Sequence, residues 1–279
     1  MKKIITLILA VVMLSTCVVA FAACGKGTAI GVQIGTTGQY FVDGDEDWGF
    51  DGIKNCYAKT YQNGGLAVTD LKNGVIDYVI IDYAPAKELV KAIEGVKMIN
   101  ISLTEEEYAF GVDKAQPELR SAINALMATP EFTAEFNRIV KAYAEGTGIT
   151  PVTSATFDAN KADKQLVVAT NAAFPPFEYK EGDKFAGIDM EIAAYLASKL
   201  DLELVIMDMD FDSVVTSVGK NGVDIAMAGL TVNETRKESV DFTNSYYTAS
   251  QVLIVKEDNN AFDQCKTAED VIAILESKK

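Results

Sequence analysis

Beyond residue 26 the hydrophobic positions fall in short runs that alternate between strand and helix spacing. TAIGVQI (28–34) is a β-branched run closed by Gly35-Thr36-Thr37-Gly38, which predicts a strand and a tight turn. DGIKNCYAKTYQ (51–62) reads as helical, GLAVTDLKNG (65–74) leads into the continuous apolar run IDYVIID (76–82), and APAKELVKAI (84–93) returns to helical spacing. The second half repeats the pattern. QLVVAT (165–170) predicts a strand, MEIAAYLASKL (190–200) an amphipathic helix, LELVIMD (202–208) a strand, DSVVTSVGKNG (212–222) a helix with a glycine stop, and DIAMAG (224–229) a strand. Alternation of this kind predicts α/β architecture with mainly parallel sheets, whose ligands sit outside the carboxyl ends of the strands. Between the halves, residues 146–164 read as a connector, beginning Gly146-Thr147-Gly148 and carrying Pro151.

The N-terminus changes the compartment. Met1-Lys2-Lys3 precedes an almost wholly apolar stretch, residues 4–23, that ends in small residues just before Cys24. This is the pattern of an export signal, and Ala22-Ala23-Cys24-Gly25 resembles the end of a bacterial lipoprotein signal, which makes Cys24 the candidate lipidation site. Once Cys17 leaves with the signal and Cys24 is acylated, Cys56 and Cys265 remain. They are either a disulfide or two small buried thiols.

Composition narrows the chemistry. Forty acidic against 25 basic residues give a formal charge of -15, which repels phosphate backbones and excludes nucleic acid as a natural partner. With no histidine in the chain, imidazole bases, histidine triads and histidine zinc sites are excluded, and neither a metal nor a cofactor is called for.

Four strand-end loops gather the remaining unusual residues: the glycine-threonine turn, Tyr83-Ala84-Pro85 after IDYVIID, NAAFPPFEY after QLVVAT, and LTVNETR after DIAMAG. At this point the chain resembles family 3 of the bacterial extracellular solute-binding proteins, the amino-acid receptors of ABC importers. LVVATNAAFPPFEY, GIDMEIAAYLASKL, DFDSVVTSVGKNGVDIAMAGLTVNETRKESVDFTNSYY, GVQIGTTGQ and LKNGVIDYVIID carry the resemblance. It implies a two-lobed, type II periplasmic-binding-protein-like fold, each lobe a mainly parallel sheet with flanking helices, joined by two hinge crossovers. It also implies a receptor, not an enzyme. The partners would be a free polar amino acid, an ABC permease, and the cell membrane through the lipid anchor.

In that reading Arg236 grips the ligand carboxylate with a planar fork that a lysine cannot supply, helped by Gly229, Thr231 and the turn Thr36-Thr37-Gly38. Asp82 takes the ammonium, Phe174 covers the apolar face, and Phe211 and Gln33 are further candidates. Asn171 stands where basic-amino-acid receptors of the family tend to carry an aspartate, which favours a polar, non-basic ligand. Taken alone, Arg236 could pair with Glu238 or Asp241, and Asp82 could cap the next helix. The rival reading is an enzyme on the same fold, similar to cyclohexadienyl dehydratases, with Glu178 or a lysine as acid.

The order departs from the family's, because the GVQIGTTGQ lobe precedes the LVVATNAAFPPFEY lobe. A circular permutation accounts for this, with a truncated tandem fusion as the alternative. The expected division is a signal at 1–23, a discontinuous lobe two of 28–106 plus 258–279, and lobe one at 107–257, whose connector 146–164 joins the family's usual termini. YTASQVLIVKED and SLTEEEYAFGVDK would be the crossovers.

Overall fold

The computed structural model describes residues 27–278, so the signal segment and Cys24 lie outside the described residues. In chain order the elements are β1 (Thr28–Gln33), α1 (Thr37–Asp43), β2 (Cys56–Tyr61), α2 (Gly64–Asn73), β3 (Tyr78–Asp82), α3 (Tyr83–Ala92), β4 (Val96–Ile99), β5 (Glu106–Tyr108) and β6 (Gly111–Val112). There follow α4 (Pro117–Met127), α5 (Pro130–Glu145), a 3-10 turn (Ala159–Lys164), β7 (Gln165–Thr170), β8 (Ala173–Phe174), β9 (Glu178–Glu181), β10 (Lys184–Ala186), α6 (Ile188–Lys199) and β11 (Glu203–Asp208). The chain closes with α7 (Phe211–Ser217), β12 (Ile225–Ala226), α8 (Glu234–Lys237), β13 (Asp241–Phe242), β14 (Tyr247–Ala249), β15 (Gln251–Lys256) and α9 (Ala268–Ser277). Local chemistry sets several ends. The Asn63 side chain caps α2, which stops at Gly74 in the left-handed region, and Thr267 with Asp270 forms a capping box on α9.

Two five-stranded sheets define the lobes, in the orders β2-β1-β3-β15-β4 and β11-β7-β12-β6-β13. In each, four strands run one way and a single strand runs against its two neighbours: β15 between β3 and β4, and β6 between β12 and β13. Those two reversed strands are the ones the chain enters from the other lobe. Between the lobes β5 and β14 pair antiparallel, Tyr108 opposite Tyr247, so the two crossovers lie side by side. This is the α/β, two-lobed, type II architecture with mainly parallel sheets. Among the described residues no helix is long and apolar enough to cross a membrane.

Three local expectations change. Residues 51–62 are not helical: CYAKTY forms β2, a half-exposed edge strand parallel to β1, entered through Asn55 at φ 62. With no fully buried face, this strand carries no clean two-residue period for a reader of the sequence to find. Cys56 and Cys265 pack against the same core cluster beside β1 but are unbridged; the Cys56 thiol turns to the Leu275 carbonyl at 3.9 Å, and burial pushes its pKa up to about 11. Finally, part of the connector is docked. Val152 pairs with Phe185, Ala155 N–H donates to Leu204 O at 2.9 Å, and the Ser154 hydroxyl accepts from Ile206 N–H at 2.8 Å.

Candidate functional site

The C-terminal ends of β1, β3, β7 and β12 converge on the cleft. Its innermost part, a narrow space of about 10 Å³, is lined from lobe two by Gln33, Thr36, Thr37 and Asp82, and from lobe one by Phe174, Phe211, Gly229, Thr231 and Arg236. Three of the four loops singled out in the sequence therefore meet in one cavity, with Asp82 at the end of β3, while Tyr83-Ala84-Pro85 opens α3 and does not line it.

Arg236 sits in the short α8, whose cap residue Asn233 accepts from the Arg236 backbone N–H at 2.8 Å. Its guanidinium is buried; Nη1 donates to Thr231 O at 2.8 Å and Nη2 crosses the cleft to Gly35 O at 3.1 Å. A guanidinium carries five N–H donors, so three stay available. Burial draws its pKa down to about 10, against the upward pull of Glu106. Asp82, also buried, occupies the cap position of α3 but makes no side-chain bond to that helix; it accepts from the Tyr108 hydroxyl instead. Burial first, then the charge of Glu106, raises its pKa to about 7. Among the described residues neither group belongs to an ion pair. Arg236 pairs with neither Glu238 nor Asp241; Asp241 meets Arg120 at 3.4 Å. A buried guanidinium and a buried carboxyl, each hydrogen-bonded but neither in an ion pair, thus face one small cavity from opposite lobes.

Other groups are arranged differently from the sequence expectation. The Gly229 N–H is spent on Asp189 at 2.9 Å, and Gly229 (φ +53) lets the Phe174 and Tyr108 rings approach its backbone to within 3.1–3.2 Å of where a Cβ would stand. The hydroxyls of Thr37 and Thr231 both donate to Glu106, and the Thr36 hydroxyl to Gln33 O at 2.7 Å. Gly38 does not line the cavity; it admits Ile80 O and the Gln251 side chain, each 3.1 Å from a would-be Cβ. Phe174 is buried beside Phe177, while Phe211 lies under the Arg236 guanidinium, 5.4 Å from ring centroid to Cζ. Asn171 lies just outside. Its Oδ1 accepts from Gln33 Nε2 at 2.9 Å across the cleft and its Nδ2 donates to Met209 O, while Gln33 Oε1 is left without a partner. Asn171 also lines an outer recess with Gln62, Asn63, Asp208 and Asp210.

Glu178 is away from the cavity. It is fully buried in lobe one with neither carboxyl oxygen hydrogen-bonded, and burial, then Asp189, pushes its pKa well above the carboxylate range. Among the described residues no group of three or more Cys, Asp or Glu side chains fits a metal ion. Two participants were missed by the sequence reading: Glu106, which accepts from Thr37, Thr104, Thr231 and Gln251, and Trp48, 5.1 Å above Arg236 Cζ. In β5 Glu106 and Tyr108 face inward and Glu107 outward, a difference that the run of three glutamates does not show in sequence.

Residues 166–276 match the model of the bacterial extracellular solute-binding proteins, family 3. Over that stretch the chain is similar to members of that family. The arginine-binding extracellular protein ArtP of Bacillus subtilis is 39% identical over 111 residues, 40% of this chain and 44% of ArtP. An L-arginine-binding protein of Pseudomonas aeruginosa is 32% identical over 97 residues, 34% of this chain and 38% of that one. A probable histidine-binding protein of Campylobacter jejuni is 30% identical over 123 residues, 43% of this chain and 45% of that one. The chain spans less than half the length of these curated relatives. All three carry names of amino-acid-binding proteins, none of an enzyme.

Proposed function

We propose that this chain is the extracellular receptor of an ABC importer and closes its two lobes on a free amino acid for delivery to a membrane permease. The observation that carries the reading is the pair of buried ionisable groups outside any ion pair, Arg236 from lobe one and Asp82 from lobe two, lining the same cavity. An α-amino acid supplies both missing counter-charges on adjacent groups, carboxylate to Arg236 and ammonium to Asp82, with Gln33 Oε1 as a second acceptor. Ligand would then bridge the lobes and bias the hinge at β5 and β14 toward closure.

The side chain would point past Phe174 toward Asn171 and the outer recess. A neutral Asn171 favours a polar side chain, yet Asp208 and Asp210 line the same recess, and the named relatives bind arginine or histidine. A basic side chain therefore belongs within the ligand class, and the restriction to non-basic ligands loses its support. Anchoring would be through acylated Cys24, which Cys24→Ser removes. The order of the lobes is read as a circular permutation, supported by β15 lying between β3 and β4.

A thermal-shift panel of the twenty amino acids on the purified protein tests the reading. At 100 times its Kd a ligand adds about 2.7 kcal/mol, which raises Tm by roughly 5–10 °C. The methyl ester and N-acetyl derivative of the same amino acid should have no effect. Equal shifts from the derivatives, or none from any free amino acid, would overturn it.

A further inference from the structure

Trp48, the single tryptophan of the chain, lies in lobe two between α1 and β2. Its turn is closed by the Asp45–Phe50 bridge, and Asp45 Oδ1 accepts from the N–H groups of Asp47 and Trp48 at 3.0 and 3.2 Å. The indole stacks on Tyr40, ring centroids 4.3 Å apart, and Phe50 packs edge-on against Phe41 at 5.4 Å. The ring is thus held firmly, and it lies 5.1 Å from Arg236 Cζ across the cleft, while Phe211 of the Arg236 lobe lies 5.4 Å from the same carbon. The Trp48 contact crosses between the lobes, whereas the Phe211 contact stays within one.

We propose that Trp48 is a positioning residue for ligand, the lobe-two half of the carboxylate grip. By stacking against the guanidinium it fixes the plane of the fork, so that the remaining N–H groups stay aimed into the cavity only while the lobes are closed. The inference rests on the amino-acid reading of the cavity. Because the contact forms after encounter, it acts on release: Trp48 slows ligand departure and leaves capture unchanged. Tyr40, on which Trp48 stacks, lines the same space beside Arg236, and Gly35 meets the guanidinium through its carbonyl oxygen.

The test uses the full chain with L-arginine, L-histidine and L-glutamine as probes, measuring affinity and release rate for wild type, W48F and W48A. For each probe that binds, W48A should release about tenfold faster with an unchanged association rate, and W48F should return to within about threefold of wild type. An unchanged release rate in W48A, or a loss equal in W48F and W48A, overturns the proposal. Melting temperatures of W48A, Arg236→Met and the double variant supply a ligand-free arm. A double variant that loses clearly less than the sum supports the pairing, and strict additivity overturns it. If no free amino acid binds wild type while the melts are non-additive, the amino-acid reading fails and the pairing stands.

Discussion

The hydroxyl of Thr231 donates to Glu106 Oε2 at 2.6 Å, and the Thr37 hydroxyl reaches the same oxygen from the other lobe at 2.7 Å. Glu106 stands on one crossover and its Oε1 accepts from Gln251 at the start of the strand that ends the other, so one buried carboxylate ties both lobes and both connections. Glu106→Ala should lower stability by about 2–4 kcal/mol, because several buried donors lose their acceptor at about 1–3 kcal/mol each. Urea denaturation checks this, and a change within 0.5 kcal/mol, the size of an ordinary surface substitution, would show that the hydroxyls find other partners.

Arg236→Lys keeps the charge and loses the fork. With charge-assisted hydrogen bonds at roughly 1.5–3 kcal/mol each, affinity for the amino acid should fall on the order of 10- to 100-fold. Calorimetric titration reads this directly; equal affinities would remove Arg236 from the carboxylate site.

Asp82 makes binding depend on pH. Its pKa stands near 7 in the ligand-free fold, raised from the ordinary aspartate value, and a ligand ammonium favours the ionised form. Affinity should therefore climb from pH 5 to about 7.5 and level off, with proton release on binding near pH 6. Stability of the ligand-free protein moves the opposite way. A carboxyl whose folded pKa is raised holds more protons in the native state, so its contribution is complete below pH 3.8 and lost as pH rises through about 7. Asp189, raised by burial to about 7, adds the same trend. Asp82→Asn should flatten the affinity profile while leaving the Asp189 share of the stability profile; titrations in buffers of differing ionisation enthalpy decide it.

Cleavage tolerance should differ along the connector. Lys161 and Lys164 are exposed in the 3-10 turn, whereas Thr150 to Ala155 bind Glu191, Phe185, Leu204 and, through Ser154, Ile206. A tryptic nick after Lys161 should leave ligand affinity within about twofold, while deleting 150–156 should lower Tm by several degrees through lost edge pairing of lobe one. Equal damage from both would mean the turn itself carries stability.

Much of this was readable from residue order. The runs QLVVAT and IDYVIID became β7 and β3, and the loop after the first and the end of the second did converge, because the ends of parallel strands share one side of a sheet. What stayed hidden needed distances between remote segments. TEEEY reads as a solvated acidic run, and only closure of the two crossovers separates buried Glu106 from exposed Glu105 and Glu107. Nothing near Trp48 in sequence announces an arginine 188 positions away. The Gly229 N–H looked free for an anion because its acceptor, Asp189, comes from a helix of the same lobe.

The position of β15 also has a meaning in time. β4 has β15 as its sheet partner, and α9 supplies Val271 and Leu275 to the core that β1 and β3 share. A ribosome makes β1 to β4 first and these last, at roughly 5–20 residues per second. The lobe begun first is therefore the one finished last. For some seconds of synthesis β3 and β4 present bare edges that invite pairing with other chains, and whatever holds the nascent chain apart in that interval protects the lobe that carries Asp82.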